Sequence, residues 1–290
     1  MSDQNIKGET QLVSQAISRM LDEGSAGVLV TLTDLPEKKP GELRIGSRLL
    51  ATESGTPVGS LGAAELDGEV SRHAYHFLSS REDARLLKAE ELAPGLSEFH
   101  GVQVLFERIE AEPRLVIAGA GHVGASLARL AALVGYRVTL IDDRAEFLSR
   151  ELFALPGEQG INLVVAEDWS EAVSEAIATG RRVSVAIVTR GHKQDEDCLR
   201  AAISADPFYI GMIGSKRRTN IVLEKLREEG TNEDELKKVH APIGLDIGAV
   251  SPEEVALAIL AEIVAERRGG SGAPLSFWRR GEMVSGRVTS

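Results

Sequence analysis

The chain of 290 residues contains 43% hydrophobic and 27% charged residues, which is enough for two domains of ordinary size. Its formal net charge of −11 argues against general nucleic-acid binding, because that needs surplus lysine and arginine to neutralise phosphates. The single cysteine, Cys198, excludes an intrachain disulfide and a zinc site built from thiolates, and it fits a reducing compartment.

The N-terminus and the hydropathy pattern predict a cytoplasmic protein without a membrane partner. Residues 1–21 begin with a polar run and lack the basic end and the apolar core of a signal peptide. No stretch approaches the roughly 18 consecutive apolar residues that a membrane-spanning helix needs.

Residues 1–112 predict a small domain of mixed helices and strands. Apolar residues at helical spacing predict a helix over 10–24, and the apolar run that follows predicts a strand over 26–33. Further along, "DLPEKKPGEL" predicts a turn-rich loop, "RIGSRLLATESGTPVGSLG" a hairpin, "DGEVSRHAYHFLSS" a helix and "HGVQVLFERIEAEP" a strand. Pro113 ends this half, so we place the domain boundary near residue 112.

Residues 113–268 predict an α/β domain, because short β-branched runs alternate there with longer helical runs. The predicted strands are "RLVIAG", "RVTLID", "INLVVA", "VSVAIVT" and "FYIGMIG". Such alternation gives a parallel sheet with helices on both faces. Ser251 and Pro252 begin the last predicted helix as its cap and its first residue. Residues 269–290 form a tail rich in glycine and arginine, which we expect to be loosely ordered at its end.

The first strand and helix of this domain contain the pattern G-x-G-x-x-G at Gly119, Gly121 and Gly124. In a dinucleotide-binding turn, the first glycine allows a tight turn, the second lets a pyrophosphate approach and the third lets the helix pack closely. The start of the helix, at His122 and Val123, then offers N–H donors to the phosphates. The alternative is a Rossmann-like fold that has kept the turn and lost the ligand.

Asp142 ends the second predicted strand about twenty residues after the turn, where a carboxylate can accept hydrogen bonds from a ribose. Arg144 follows it closely and belongs to the predicted cofactor-binding set. His122 is unusual in such a turn, because the helix dipole disfavours a cationic imidazole there. A neutral His122 can donate one hydrogen bond to a phosphate or to the cofactor edge, and a bond to a neighbouring loop is the alternative.

Three later loops contain polar residues where predicted strands end, which is the edge at which open α/β sheets bind ligands. The loop "TRGHKQDED" gives Arg190, Gly191, His192 and Asp195, which predict a ligand-facing loop. The first turn of a helix is the alternative. His192 and Asp195 can orient each other, but two such side chains make a weak metal site, so we predict no metal.

The loop "YIGMIGSKRRTN" adds the candidates Gly214, Ser215, Lys216 and Arg217. With Arg218 it contains three cations and predicts a site for a second phosphate or carboxylate. Solvated cations at a helix start are the alternative. The loop "VHAPIGLDIGAVSPEE" adds Gly244 and Asp246, either as a pocket wall or as a purely structural loop.

Catalytic motifs are absent from the sequence. It contains neither G-x-S-x-G nor H-E-x-x-H, and we predict no catalytic residue. Cys198 lies in a predicted helix without an evident activating partner, so we expect it to be a small core residue.

The segments "AGAGHVGASLARLAALVGYRVTLIDDR", "VTRGHKQDED", "YIGMIGSKRR" and "VHAPIGLDIGAVSPEEVALAI" closely resemble the XdhC/CoxI family of xanthine dehydrogenase accessory proteins. The resemblance runs from about residue 112 to about residue 268. It implies a C-terminal Rossmann domain and a smaller N-terminal XdhC/CoxI domain of α+β type. It also implies binding of the molybdenum cofactor, support of its sulfuration by a cysteine desulfurase, and delivery to the apoenzyme of a molybdenum hydroxylase.

One segment departs from the family pattern. Members commonly contain a segment like G-S-I-G-G-G-C-x-E, and the matching stretch here is "GSLGAAELD", in which Glu65 stands where the cysteine would be. A thiolate is a soft ligand for molybdenum or sulfur and a carboxylate is not. Any step that uses the family cysteine would therefore differ in this chain.

Three functions stay open from the sequence. The favoured one is a non-catalytic chaperone for molybdopterin or its dinucleotide, in which the glycine-rich turn holds the pyrophosphate and the later loops line the rest. The second is an NAD(P)-dependent oxidoreductase, for which Asp142 would favour NAD over NADP. The third is a regulatory protein that senses a nucleotide. A homodimer is compatible with each of them.

Overall fold

The computed structural model describes residues 2–37, 43–52, 55–80, 82–154, 157–178 and 182–276. The chain divides into two compact units, Met1–Ala111 and Glu112–Ser290. Part of the loop predicted over 34–43, and the tail beyond residue 276, lie outside the described residues.

The N-terminal unit is an antiparallel sheet with a long helix on each face. Its elements are α1 (Ser2–Asp22), β1 (Ala26–Asp34), β2 (Arg48–Thr52), β3 (Val58–Ser60), α2 (Ala64–Leu78), β4 (Ala84–Lys88), α3 (Ala89–Leu92) and β5 (Gln103–Glu110). The strand order is β3-β2-β1-β5-β4, and every pair is antiparallel. Alternate residues of β1 point to opposite faces, so Val28 and Val30 pack with α2 whereas Leu29 packs with α1.

Most elements predicted for this unit are present. The predicted hairpin is β2 paired with β3, with Leu50 opposite Val58. The helix predicted from residue 67 is α2, which begins three residues earlier, at Ala64. Neither β4 nor α3 has a counterpart in the sequence prediction. In β4 only Leu87 is buried, so the strand shows no alternation of apolar and polar residues.

The C-terminal unit is a parallel sheet with helices on both faces. Its elements are β6 (Arg114–Ala118), α4 (His122–Leu133), β7 (Arg137–Asp142), β8 (Asn162–Val165), α5 (Trp169–Ile177), β9 (Val183–Ile187), α6 (His192–Ala205), β10 (Tyr209–Met212), α7 (Lys216–Glu228), α8 (Glu233–Leu236), β11 (Val239–His240) and α9 (Pro252–Arg268). The strand order is β11-β10-β9-β6-β7-β8, and every pair is parallel. Helices α4 and α9 pack on one face, and α5, α6 and α7 pack on the other. The predicted Rossmann-like α/β fold is confirmed.

The strand order determines where a ligand can bind in this unit. From β6 the chain moves outward to β7 and β8, and it then returns to β9 on the other side of β6. This is the doubly wound order in which a crevice opens at the carboxyl ends of the two central strands. Ser251 caps α9 and Pro252 is its first residue, as predicted. Cys198 is a buried core residue of α6, which is also as predicted.

Candidate functional site

The glycine-rich turn between β6 and α4 uses its three glycines in different ways. Gly119 has φ +114°, and a Cβ there would lie 2.5 Å from the carbonyl oxygen of Val188. A Cβ on Gly124 would lie 1.8 Å from the carbonyl oxygen of Gly119. A Cβ on Gly121 would meet no atom within 4 Å. Gly119 and Gly124 therefore allow the turn, the strand and the helix to pack closely, and Gly121 leaves open space beside the turn.

The first turn of α4 provides hydrogen-bond donors next to that open space. The helix begins at His122, and its N-cap, Gly121, has no side chain to accept a hydrogen bond. The N–H group of Ala125 donates to the carbonyl oxygen of Gly121 at 2.9 Å. The N–H groups of His122, Val123 and Gly124 precede it and have no acceptor inside the helix, which is the arrangement that binds anions. The side chain of His122 is exposed.

Asp142, at the carboxyl end of β7, is 1% exposed and fully engaged in hydrogen bonds. Its Oδ2 accepts from the backbone N–H of Ala120 at 2.7 Å and from Nη2 of Arg144 at 3.0 Å. Its Oδ1 accepts from the backbone N–H and the Nε of Arg144 at 3.0 and 2.8 Å. Burial raises the pKa of this carboxyl, but the bonds from Arg144 and Ala120 outweigh burial and lower the pKa below its usual value. Since a carboxylate has about four acceptor sites, the ribose contact predicted for Asp142 would require one of these bonds to break.

An open pocket lies beside the turn, and its empty space of about 340 Å³ is continuous with the solvent. The predicted residues that line it are Gly119, Gly121, Asp142, Arg144 and Arg190. Residues without a prediction also line it, namely Asp143, Trp169, Val188, Thr189 and Gln194. These follow the carboxyl ends of β7, β8 and β9. The ends of the predicted strands were therefore the signal that could have found them.

Asp143 lies between two arginines in the lining of this pocket. Nη2 of Arg190 lies 3.2 Å from its Oδ2, and Nε of Arg144 lies 3.7 Å from its Oδ1. The guanidinium of Arg144 also lies over the ring of Phe147, 3.9 Å from the ring centroid. Hydrogen bonding to Asp142 raises the pKa of Arg144. The two arginines of the pocket are thus each paired with an acid.

Asp195 pairs with Arg218 and not with His192. It is 0% exposed and accepts hydrogen bonds from Oγ1 of Thr189 at 2.5 Å and from Nε of Arg218 at 3.0 Å. Burial raises the pKa of Asp195, and the bonds from Thr189 and Arg218 act in the opposite direction. His192 is exposed at the start of α6, where Gly191 is the N-cap. The predicted pair of His192 and Asp195 is not formed, and Asp195 instead ties the loop after β9 to the start of α7.

The start of α7 presents exposed cations outside the pocket lining. Ser215 caps the helix, as predicted, because its Oγ accepts from the backbone N–H of Arg218 at 3.2 Å. Gly214, just before it, has φ +153°, which favours glycine. Lys216 and Arg217 are exposed in the first turn. No group of three or more His, Cys, Asp or Glu in the described ranges could hold a metal ion.

The loop after β11 is fixed by Glu262 of α9. Oε2 of Glu262 accepts from the hydroxyl of Tyr209 at 2.5 Å and from the N–H of Gly244 at 2.8 Å. Nδ1 of His240 lies 3.4 Å from Oε1 of Glu262, and its ring centroid lies 4.5 Å from that of Tyr209. Glu262 raises the pKa of His240, and burial together with Glu262 raises the pKa of Tyr209. Asp246 is exposed in the same loop and does not line the pocket.

Glu65 lies in the N-terminal unit, exposed in the first turn of α2. Asp67 holds the loop before that helix, because its carboxylate accepts from Oγ of Ser60 at 2.6 Å and from the N–H of Leu61 at 2.8 Å. Cys198 is the chain's single cysteine, and burial raises its pKa. No cysteine thiol of this chain is therefore exposed for metal binding or sulfur transfer.

Comparison with known proteins agrees with this geometry. Residues 115–263, slightly more than half of the chain, match the family model described as the XdhC Rossmann domain. The chain belongs to the XdhC family. The resemblance found in the sequence motifs is thereby confirmed.

Curated relatives of this XdhC protein include three bacterial proteins. YqeB of Escherichia coli, described as uncharacterized, is 31% identical over 234 residues, which is 79% of this chain and 42% of YqeB. A protein of Bacillus subtilis described as a probable xanthine dehydrogenase subunit is 29% identical over 165 residues, or 57% of this chain and 46% of that protein. The molybdenum cofactor insertion chaperone PaoD of Escherichia coli is 39% identical over 69 residues, which is 24% of this chain and 22% of PaoD. The chain spans less than half the length of each of these relatives.

A solved structure supports the fold of this XdhC protein. The crystal structure of a xanthine dehydrogenase from Bacillus halodurans matches with a TM-score of 0.59 and 18% identity, over 93% of this chain and 68% of that chain. Within the described part of the XdhC chain, none of the helices is long and apolar enough to cross a membrane.

Proposed function

We propose that this XdhC protein binds the molybdenum cofactor in a dinucleotide form and delivers it to the apoenzyme of a xanthine dehydrogenase-type molybdenum hydroxylase. The names of two relatives support the proposal, because one is a molybdenum cofactor insertion chaperone and the other a probable xanthine dehydrogenase subunit. The structural observation that supports it is the open space at Gly121, which lies beside the first turn of α4 and the open pocket.

The residues of the turn fit the pyrophosphate of such a dinucleotide. The backbone N–H groups at the start of α4 can donate to phosphate oxygens, and the helix dipole favours negative charge there. Because Gly121 has no side chain, the space beside it is free for a phosphate. The attached nucleoside would then lie along the open pocket lined by Asp143, Trp169 and Arg190.

Four predicted residues outside this pocket belong to the proposal as contacts for the rest of the cofactor. They are Lys216 and Arg217, in the first turn of α7 after β10, and Gly244 and Asp246, in the loop after β11. Lys216 and Arg217 are exposed cations and suit a second anionic group. Asp195 and Ser215 support the frame of the site, since Asp195 is bonded to Arg218 and Ser215 caps α7. The other predicted residues stay proposed cofactor contacts, namely His122, Val123, Gly124, Gly191, His192 and Gly214.

The chain itself offers no thiol for the molybdenum end of the cofactor. Cys198 is buried and Glu65 occupies the position of the family cysteine. We therefore assign sulfuration to a cysteine desulfurase that acts while the cofactor is held, and we assign binding and delivery to this chain. In this proposal the chain is not an enzyme.

An NAD(P)-dependent oxidoreductase is the second candidate, and the strand order with its glycine-rich turn favours it. Against it, Asp195 is engaged by Arg218, so the described residues do not contain the predicted pair of His192 and Asp195 for proton transfer. A nucleotide-sensing protein, the third candidate, would use the same turn. It differs from the chaperone in that it does not transfer its ligand to an apoenzyme.

Mass spectrometry of the ligand that co-purifies with the chain tests the proposal. We expect a pterin dinucleotide together with molybdenum in the wild-type chain and its loss from Gly121→Asp, whose carboxylate would occupy the open space beside the turn. Gly95→Asp is the matched control, because a Cβ at Gly95 also meets no atom within 4 Å and that residue is exposed in the other unit. Tight NADH binding without any pterin would contradict the proposal.

Glu65→Cys tests whether the loss of the family cysteine at this position changes cofactor binding. If the family cysteine is a cofactor ligand, the variant should hold the pterin more tightly than the wild-type chain. Unchanged affinity would show that the lost thiol is not a ligand here. The homodimer and the cytoplasmic location stay predictions, which sedimentation of the purified chain and cell fractionation test.

A further inference from the structure

Asp142 and Asp143 are neighbours whose carboxylates differ in their availability to the pocket. The side chain of Asp142 is 2% exposed, and its acceptor sites are taken by Ala120 and Arg144. The side chain of Asp143 is 30% exposed and accepts from Arg190 at 3.2 Å. Nε of Arg144 lies 3.7 Å from Oδ1 of Asp143, which is beyond hydrogen-bonding distance. Asp143 therefore retains acceptor sites in the pocket that it lines.

The charges of these side chains are balanced before any ligand binds. Arg144 is paired with Asp142, and Arg190 is paired with Asp143. Among the described residues that line the pocket, Arg144 and Arg190 are the cations, so no unpaired cation remains there for an additional phosphate. A neutral hydroxyl, by contrast, can donate to Asp143 without bringing charge into the pocket.

We propose that Asp143, and not Asp142, recognises the ribose of the bound nucleotide by accepting from its hydroxyl groups, and that the pocket rejects a ribose with a 2′-phosphate. The inference rests on the proposed nucleotide-binding function and names the residue that selects the nucleoside half. A 2′-phosphate would place its negative charges beside the carboxylates of Asp142 and Asp143. Their arginine partners already neutralise these carboxylates, so no cation offsets the repulsion. Arg190 positions Asp143 and leaves the acid its remaining acceptor sites.

Isothermal titration calorimetry of the full chain with defined nucleotides tests the inference. The probes are ADP, CDP and GDP, each beside its 2′-deoxy analogue, and NAD⁺ beside NADP⁺. We expect the wild-type chain to bind each ribonucleotide about tenfold more tightly than its 2′-deoxy analogue, and NAD⁺ about tenfold more tightly than NADP⁺. Asp143→Asn should weaken ribonucleotide binding and remove most of both preferences, because it deletes the charge that accepts the hydroxyl and repels the phosphate.

Asp206→Asn is the matched control for Asp143→Asn. Asp206 is exposed at the end of α6, outside the pocket lining, and its φ of +46° suits asparagine as well as aspartate. This variant should keep both preferences of the wild-type chain. Loss of the preferences in Asp206→Asn as well would overturn the assignment to Asp143.

The outcomes separate this inference from the function on which it rests. Equal binding of ribo- and 2′-deoxynucleotides, a preference for NADP⁺, or an Asp143→Asn variant that keeps both preferences would each overturn the role of Asp143. If nucleotide binding is nevertheless lost in Gly121→Asp, binding at the glycine-rich turn stands and only the role of Asp143 fails. If the wild-type chain binds none of these nucleotides, the nucleotide-binding function fails and the inference fails with it.

Discussion

The carboxylate of Asp142 accepts a hydrogen bond from the backbone N–H of Ala120 at 2.7 Å, so the end of β7 holds the glycine-rich turn in place. The preceding N–H, that of Gly119, donates to the carbonyl oxygen of Ile141 at 2.7 Å. Two consecutive residues of the turn are thus bonded to two consecutive residues of β7. The acid at this strand end supports the turn, and Arg144 balances its charge.

Asp142→Asn should lower the free energy of unfolding by about 2 kcal/mol. The remaining side-chain oxygen of the asparagine would still accept hydrogen bonds. The amide nitrogen that replaces the other oxygen cannot accept, so it would face a donor without a hydrogen bond, either the N–H of Ala120 or the guanidinium of Arg144. Urea unfolding measures the difference. Asp246→Asn makes the same change at an exposed residue and should alter the free energy by less than about 0.5 kcal/mol. Equal effects of the two substitutions would show that the bonds of Asp142 add no stability.

Gly121 and Gly124 give a matched pair of alanine substitutions with opposite expectations. Gly124→Ala should lower the free energy of unfolding by about 3 kcal/mol, because its Cβ would lie 1.8 Å from the carbonyl oxygen of Gly119. Gly121→Ala should lower it by no more than about 1 kcal/mol, the cost of an alanine N-cap, since φ −63° suits alanine and the Cβ meets no atom within 4 Å. The methyl group of Gly121→Ala should nevertheless weaken nucleotide binding, which calorimetry measures. Wild-type affinity in Gly121→Ala would show that no phosphate approaches the turn at this residue.

The sequence contained enough information for the turn but not for the pairings between loops. The spacing of Gly119, Gly121 and Gly124 predicts the turn because each glycine answers a local packing requirement. The pairing of Asp195 with Arg218 joins residues that are 23 positions apart, and it depends on how α6 packs beside α7. No spacing rule gives that distance, so His192 was the only partner that the sequence suggested for Asp195.

Short elements and individual side-chain contacts also lay beyond the sequence patterns. β11 has two residues, too few for any periodicity to appear. Trp169 and Asp143 line the pocket because they follow β8 and β7. Neither residue belongs to a motif, so only its place after a predicted strand could have indicated it. The hydrogen bonds between Arg144 and Asp142 could not be predicted from the sequence either, because they depend on the side-chain conformation of Arg144.

Arg218 and Arg217 are neighbours in the first turn of α7 with different environments. Arg218→Ala should lower the free energy of unfolding by about 3 kcal/mol, because it leaves the buried carboxylate of Asp195 without its counterion. Arg217→Ala deletes the same side chain at an exposed position and should change the free energy by less than about 0.5 kcal/mol. Urea unfolding of both variants checks this. A fully stable Arg218→Ala would show that the ion pair does not hold the two loops together.

The cluster of His240, Glu262 and Tyr209 makes part of the stability depend on pH. Glu262 raises the pKa of His240, a shift that stabilises the fold below the ordinary histidine value of about 6.5 and is lost as the pH rises through the folded-state pKa. Burial raises the pKa of Glu262, but His240, Tyr209 and the N–H of Gly244 outweigh burial and lower it. That shift stabilises the fold above about pH 4.3 and is lost as the pH falls. The cluster therefore contributes most between about pH 4.5 and pH 6.5.

His240→Gln should accordingly lower the free energy of unfolding most near about pH 6, and the deficit should shrink as the pH rises through the raised pKa of His240 and the wild-type histidine loses its charge. Urea unfolding at a series of pH values measures the difference between the two chains. His192→Gln makes the same substitution at an exposed histidine of the same unit and gives the baseline at each pH. A deficit of His240→Gln that stays constant from about pH 6 to about pH 8.5 would mean that His240 stabilises the loop by packing on Tyr209 and not through its charge beside Glu262.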